Sequence, residues 1–218
     1  MTATPDVPTA AGVPVPVVMI VDDDDLMRAA LRRVFASAKI YAELYASGAE
    51  LLGQARLDRP GCILLDFNMP EMNGLEVQAR LKQRGVDKPI IFLTGAADVP
   101  VAVSAMREGA IDFIQKPFDN VQLIARVRAV LERRRKQDER SDVLRRLSSL
   151  TAKECQVLDL LIAGKSDREV ARALKMGQRA VETHRQRVVE KMGAPTLPDM
   201  IRMRLLAAEK ALDSETPT

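Results

Sequence analysis

A chain of 218 residues is long for one domain and comfortable for two small ones. Its 47% hydrophobic and 29% charged residues suit packed globular cores, while 3% aromatics and no Trp argue against stacking on single-stranded nucleic acid. The net charge of +3 conceals an asymmetry: residues 1–130 hold 14 Lys and Arg against 16 Asp and Glu, the remainder 19 against 14, so an anionic partner is expected for the C-terminal part. Cys62 and Cys155 have neither CxxC spacing nor a neighbouring His, which excludes a disulfide framework and argues against a metal–thiolate site. No apolar run reaches ~18 residues and no basic-then-apolar leader opens the chain, so neither a membrane span nor a secretory signal is expected. A reducing, cytoplasmic setting fits.

Residues 1–14, rich in Pro, Ala and Thr, are expected to form a disordered lead. Short β-branched runs at 17–21, 40–44, 62–65, 89–93 and 111–114 then alternate with helical patterns at 25–37, 48–57, 74–84 and 99–108, and another helix opens near Asp119. This spacing predicts an α/β domain over 15–130, a doubly wound five-stranded parallel sheet with helices on both faces. Right-handed crossovers leave few strand orders, and 2-1-3-4-5 is one of the two common ones. From Val121 the chain is almost continuous helix former, first amphipathic and then highly charged. The last helix of the first domain is expected to run into a helical linker at 131–147. An all-α domain over 148–211 follows, with helical patterns at 152–163, 167–175, 178–192 and 198–211, and a tail at 212–218 that frays.

In a doubly wound sheet, ligands bind beyond the carboxyl ends of the strands, where strand order reverses. With order 2-1-3-4-5 that point lies between strands one and three. Strand one ends in VMIVDDDD, delivering Asp22 and Asp23, and strand three in CILLDF, delivering Asp66. Converging carboxylates repel one another strongly at low dielectric, so a bound cation is the natural compensation, and an all-oxygen set suits Mg²⁺. Strand four ends in IIFLTG, presenting Thr94, and strand five leads into IQKPF, presenting Lys116. Carboxylates, metal, hydroxyl and ammonium together make a phosphoryl-transfer site with Asp66 as nucleophile. Each residue also has a plainer reading: Asp24 and Asp25 as an N-cap and solvated first turn, Asp66 as a strand-end carboxylate, Thr94 as a turn residue, Lys116 as surface. For the whole set, the plainer reading needs four coincidences at four strand ends.

In the C-terminal part, Thr151 followed three residues on by Glu154 is a capping box opening an apolar helix. Gly164 ends that helix, and Asp167 is placed to cap the next. Ala171, Leu174, Val181 and Val188 supply apolar faces, and the KMGQR turn matches a helix-turn-helix, whose second helix enters the DNA major groove. Residues 165–191 hold eight basic side chains against four acidic ones, an electrostatic footprint for phosphates. His184, the single histidine, stands without a carboxylate–metal constellation and reads as a packing or phosphate-contacting residue, and the Met residues read as core filler.

The motifs VDDD, LLDFNMPEMNG, LTG and KPF, at these spacings, resemble those of two-component receiver domains over about 15–130. The resemblance implies that Asp66 is the phosphoacceptor. It also implies Mg²⁺ bound by Asp23, Asp66 and the carbonyl of Asn68, with Asp22 assisting through water. Thr94 and Lys116 contact the phosphoryl group, the Lys116–Pro117 bond is cis, and Phe113 is the switch aromatic. LTAKE, AGKSDREVA, AVETHR and KMGA make the C-terminal part similar to the LuxR-type helix-turn-helix of the NarL/FixJ class, FixJ-like members above all. Lys153 and Gln156 depart from the usual Arg and Glu there, and Gly177 and Ala180 from a Ser and a Thr, removing two hydroxyls that could cap a helix or meet a phosphate. By position, Glu182, Thr183 and Gln186 are the candidates for base edges, Glu accepting from cytosine and Gln reading adenine. Arg179, Arg185, Arg187 and Lys191 are the candidates for phosphates. A phosphorylation-gated transcription regulator is therefore expected, not an enzyme beyond self-phosphorylation and hydrolysis. Its expected partners are a sensor histidine kinase, double-stranded DNA, a second copy of itself and RNA polymerase. The alternative is a phosphate-sink or relay protein whose C-terminal bundle binds protein. A sigma-factor region-four module is a nearer rival for that bundle alone, and the preceding domain argues against it.

Overall fold

Alternating apolar side chains on the β-branched runs build a sheet buried on both faces. The structure, a computed structural model, describes residues 9–10, 13–95 and 110–208, which divide into two units between Arg135 and Lys136. In the first unit β1 (Val17–Val21), β2 (Tyr41–Tyr45), β3 (Gly61–Asp66), β4 (Ile90–Thr94) and β5 (Asp112–Gln115) are all parallel. Their order is β2-β1-β3-β4-β5, the expected 2-1-3-4-5. Val17, Met19 and Val21 point to one face with Ile63, Leu65 and Phe92; Val18 and Ile20 point to the other with Cys62, Leu64 and Leu93. Each fully buried aliphatic side chain contributes about 1.5–3 kcal/mol, so these two layers dominate the stability of the unit. Cys62 lies wholly inside, and burial pushes its thiol up to about 12.

Helix α1 (Asp25–Ser37) covers the second face through Leu31 and Phe35; α2 (Gly48–Gln54) and α3 (Gly74–Gln83) cover the first through Leu51, Val77 and Leu81. Asp24 caps α1 by accepting from the Leu26 and Met27 amides, and Asn73 caps α3 in a reciprocal box with Glu76. Gly61 has φ +146, and a β-carbon there would stand 2.0 Å from the Val17 carbonyl oxygen, so only glycine lets β3 begin beside β1. Strand two starts one residue later than expected because the Ile40 amide is spent on the Phe35 carbonyl, closing the last turn of α1. Helix α2 stops at Gln54, short of 57, where Ala55 turns extended. The helix expected at 99–108 lies outside the described residues. Within the expected lead, Thr9–Ala10 pairs antiparallel with Val13–Pro14, a local order that the Pro-rich composition obscures.

Helix α4 (Asn120–Ser148) opens at Asp119, whose carboxylate accepts from the Gln122 amide, and gives Leu123, Val127 and Val130 to the second-face core of the first unit. Its residues from 136 onward belong to the second unit with α5 (Ala152–Ile162), α6 (Asp167–Leu174), α7 (Gln178–Met192) and α8 (Leu197–Ala208). The stretch expected as a linker is therefore in part a wall of the C-terminal bundle. Val143 packs with Leu158, Val188, Met192, Met200 and Met203. Arg146 donates to the Met192 carbonyl at 2.8 Å, and Arg140 to those of Leu206 and Ala207 at 3.0 and 3.1 Å, placing cations on the C-terminal carbonyls of α7 and α8. The Thr151–Glu154 capping box forms as expected. Helix α6 is capped by Ser166 rather than Asp167, because Ser166 and Glu169 satisfy each other reciprocally; Asp167 becomes the first helical residue. No described helix is long and apolar enough to cross a membrane.

A fragment beginning at residue 136 should be more stable than one beginning at 148 by about 2 kcal/mol or more, since the shorter piece loses buried Val143 and the Arg140 and Arg146 hydrogen bonds. Denaturant unfolding of both fragments followed by circular dichroism checks this, and equal midpoints would contradict the role given to 136–148.

Candidate functional site

The carboxyl ends of β1 and β3 are neighbours, and they bring Asp22, Asp23 and Asp66 together. One carboxylate oxygen from each lies within 4.8 Å of the others. Asp22 and Asp66 are buried and Asp23 is exposed. Lys116, from the turn after β5, places its ammonium 2.9 Å from Asp22 Oδ2 and 3.0 Å from Asp66 Oδ1, bridging the two strand ends. The Lys116 amide donates to the Thr94 carbonyl at 2.7 Å, tying that turn to the end of β4, and the Lys116–Pro117 bond is cis. The hydroxyl of Thr94 is buried and has no hydrogen-bond partner among the described residues. Such a group costs about 1–3 kcal/mol unless something arrives to meet it. Asn68, two residues beyond Asp66, is exposed, and Phe113 is partly buried on β5 against the first-face core. Gly74 starts α3 close by: a β-carbon there would meet the Asp66 carbonyl oxygen at 2.9 Å and the Phe92 ring at 2.7 Å.

Burial raises the Asp66 carboxyl above its usual range, and donation from Lys116 only partly offsets this. Burial would lower the Lys116 ammonium, but its bonds to Asp22 and Asp66 prevail and hold it above its ordinary value. The result is a basic carboxylate beside a firmly protonated ammonium. All the clustered donors are oxygens, one cation already sits between two of them, and the third faces solvent. Such a set fits a hard divalent cation.

In the second unit, α7 buries Val181, Val188 and Met192. Arg179, Glu182, Thr183, Gln186 and Arg187 are exposed. Glu182, Gln186, Arg179 and Arg187 engage no described group through their side chains, whereas the Thr183 hydroxyl donates to the Arg179 carbonyl at 2.9 Å. Arg185 faces Asp167 at 3.3 Å. Lys191, expected at a phosphate, instead donates to the buried Glu154 carboxylate at 2.7 Å and to the Ser149 carbonyl at 3.1 Å. A buried carboxylate needs a counter-charge, and this need takes Lys191 out of the exposed set. Helix α7 begins at Gly177 without a side-chain cap, as the missing Ser implies. His184 has a buried Nδ1 with no described partner.

Residues 18–128 match the family model for the response regulator receiver domain, and 148–204 match that for bacterial regulatory proteins of the luxR family. The chain belongs to the response regulators, as a two-component transcriptional regulator that joins a receiver to a LuxR-type DNA-binding domain. It is similar to the transcriptional regulatory protein FixJ of Azorhizobium caulinodans, 41% identical over 206 residues that cover 92% of this chain and 97% of that one. The C4-dicarboxylate transport transcriptional regulatory protein DctR of Rhodobacter capsulatus is 38% identical over 192 residues, 85% and 98% of the two chains. Among solved structures, the response regulator StyR superposes with a TM-score of 0.62 at 33% identity, covering 89% of this chain and 98% of that chain. Full-length FixJ from B. japonicum gives 0.54 at 31%, covering 90% and 99%. This pairing of domains implies a histidine kinase and DNA as partners.

Glu154 offers a pH test. The Lys191 ammonium and donation from the Thr151 amide lower its carboxyl from 4.5 to about 2. A depressed carboxyl contributes stability that is complete above the unfolded value and disappears as pH falls through the folded one, so the window runs from about 4.5 down to about 2. The fragment from residue 136 should lose on the order of 2 kcal/mol between pH 6 and pH 2.5 through this group, and Glu154→Gln should flatten that slope. An unchanged slope in the variant, read by denaturant unfolding at several pH values, would count against the pair.

Proposed function

We propose that Asp66 accepts a phosphoryl group from a sensor histidine kinase and that the phosphorylated receiver governs DNA binding by the C-terminal domain. The observation that carries this reading is the Lys116 ammonium held between Asp22 and Asp66 beside the unpaired, buried hydroxyl of Thr94. Lys116 occupies Asp66 Oδ1, which leaves Oδ2 to attack phosphorus. The P–N bond of the phosphohistidine breaks, its electron pair stays on the imidazole, and an aspartyl phosphate forms. Lys116 then neutralises phosphoryl oxygen charge, and Thr94 rotates to donate to another of those oxygens. Asp23, Asp66 and the carbonyl of Asn68, with Asp22 through water, would hold Mg²⁺, which supplies further charge neutralisation. Phe113 follows Thr94, altering the surface formed by β5, α4 and the helix expected at 99–108. That change promotes dimerisation or frees the DNA-binding domain in the cytoplasm, with RNA polymerase as the onward partner. The chemistry of the chain stops at self-phosphorylation and hydrolysis.

On DNA, α7 enters the major groove with Glu182, Thr183 and Gln186 toward base edges and Arg179, Arg185 and Arg187 toward phosphates. Arg185 exchanges Asp167 for phosphate, whereas Lys191 stays with Glu154. Because the Thr183 hydroxyl is engaged within the helix, its methyl group is what it offers a base, which suits thymine. Acetyl phosphate with Mg²⁺ should add one phosphoryl group to the chain, seen by mass spectrometry, and Asp66→Ala should abolish it; full labelling of that variant would move the acceptor elsewhere. On DNA selected from a random library, Glu182→Ala should lose discrimination at one position by about tenfold or more while binding unrelated DNA at least as tightly, because a carboxylate near phosphates is removed. An unchanged base preference would remove Glu182 from the reading face.

A further inference from the structure

We infer that Arg28 is a positioning residue that aims the Asp23 carboxylate into the acidic pocket. The inference rests on the reading of that pocket as a Mg²⁺ site. Lys116 fixes Asp22 and Asp66, and the Asp24 amide donates to Asp22 Oδ1 at 2.9 Å. Among the described residues, no hydrogen bond or ion pair holds the Asp23 carboxylate, and Asp23 is exposed. Its direction is therefore set by the backbone that carries it, above all by the peptide linking Asp22 to Asp23.

The Asp22 backbone is held at both of its polar groups, and the bond that falls on the Asp22–Asp23 peptide is the one from Arg28. The Asp22 amide donates to the Tyr45 carbonyl at 3.3 Å, and the Asp22 carbonyl accepts from Arg28 Nη1 at 2.5 Å. The second arm of the guanidinium engages the Asp25 carboxylate one turn earlier on α1. The Arg28 side chain is only 11% exposed although it ends in a guanidinium, whereas Asp25 is 88% exposed. An exposed carboxylate contributes little to stability by itself; what it does here is orient the fork so that the other arm meets the Asp22 carbonyl. Asp22 is wholly buried, so without Arg28 that carbonyl would be left without a donor and the Asp22–Asp23 peptide would be free to rotate.

Two roles for Arg28 predict opposite signs. A cation beside a dication site repels the dication, so a purely electrostatic role predicts tighter Mg²⁺ binding when the charge is removed. Positioning predicts weaker binding, and loss of a group that orients a metal ligand typically costs about 10–100-fold in affinity. The test is calorimetric titration of Mg²⁺ into the unphosphorylated full-length chain, with thermal unfolding in the absence of metal to verify folding. Arg28→Met keeps the packing of the stem and removes both donors; its affinity should fall about tenfold or more. Arg28→Lys keeps one donor and should lie between wild type and Met; it also serves if the Met variant does not fold. Equal or tighter binding by a folded variant, with wild-type binding intact, overturns the role of Arg28 alone. Absence of Mg²⁺ binding by the wild type overturns the pocket reading and this inference with it, and Asp23→Ala, expected to weaken binding at least as much as Arg28→Met, separates the two cases.

Discussion

A parallel sheet ends all its strands on one edge, and in this chain that edge gathers negative charge faster than the fold can neutralise it. Asp22 and Asp66 leave solvent at the ends of adjacent strands, with Asp23 beside them, against a single ammonium from Lys116. Burying one carboxylate is costly; burying two within reach of each other is tolerable only with a cation between them. Much of the surrounding geometry serves that bridge. The Thr94 carbonyl fixes the turn that carries Lys116, Asp24 caps α1 while its amide donates to the Asp22 carboxylate, and Gly74 allows α3 to begin against Asp66 without a steric collision.

Charge is apportioned differently in the second unit. Its cationic sequence looks uniform, yet the structure divides it into groups that hold the bundle and groups left facing outward. Arg140, Arg146 and Lys191 meet carbonyls or a buried carboxylate. Arg179 and Arg187 engage nothing described. Only the second kind can exchange counterions for phosphates at little structural cost, so the number of basic residues overstates the number free to hold DNA.

The strand-end motifs were legible because strand termini in a doubly wound sheet are fixed by topology: once five alternating units are recognised, VMIVDDDD, CILLDF, IIFLTG and IQKPF fall on one edge. Capping at Thr151 was legible for a similar reason, since its partner is three residues away. What was not legible depended on distance along the chain or on charge that disguises burial. Lys191 reads as a surface cation on an amphipathic helix, and nothing over the 37-residue separation signals that Glu154 is buried and waiting for it. Residues 131–147 read as a helical linker because they are densely charged, yet Val143, with Leu147 beside it, seats the later part of that helix in a core. Arg28 is one Arg among several on α1. Its bond to a main-chain carbonyl has no sequence signature.

The placement of Cys62 makes the first unit a reporter of its own opening. Thiolates, not thiols, react with alkylating reagents, and a thiol pushed up to about 12 is ionised in only about one molecule in 10⁵ at neutral pH. With no accessible surface as well, Cys62 reacts only when the sheet separates, while the partly exposed Cys155 in the second unit can react with the chain folded. The rate of Cys62 alkylation in the native chain thus measures how often β3 is released from its neighbours, in the manner of hydrogen exchange but at a single chemically marked position.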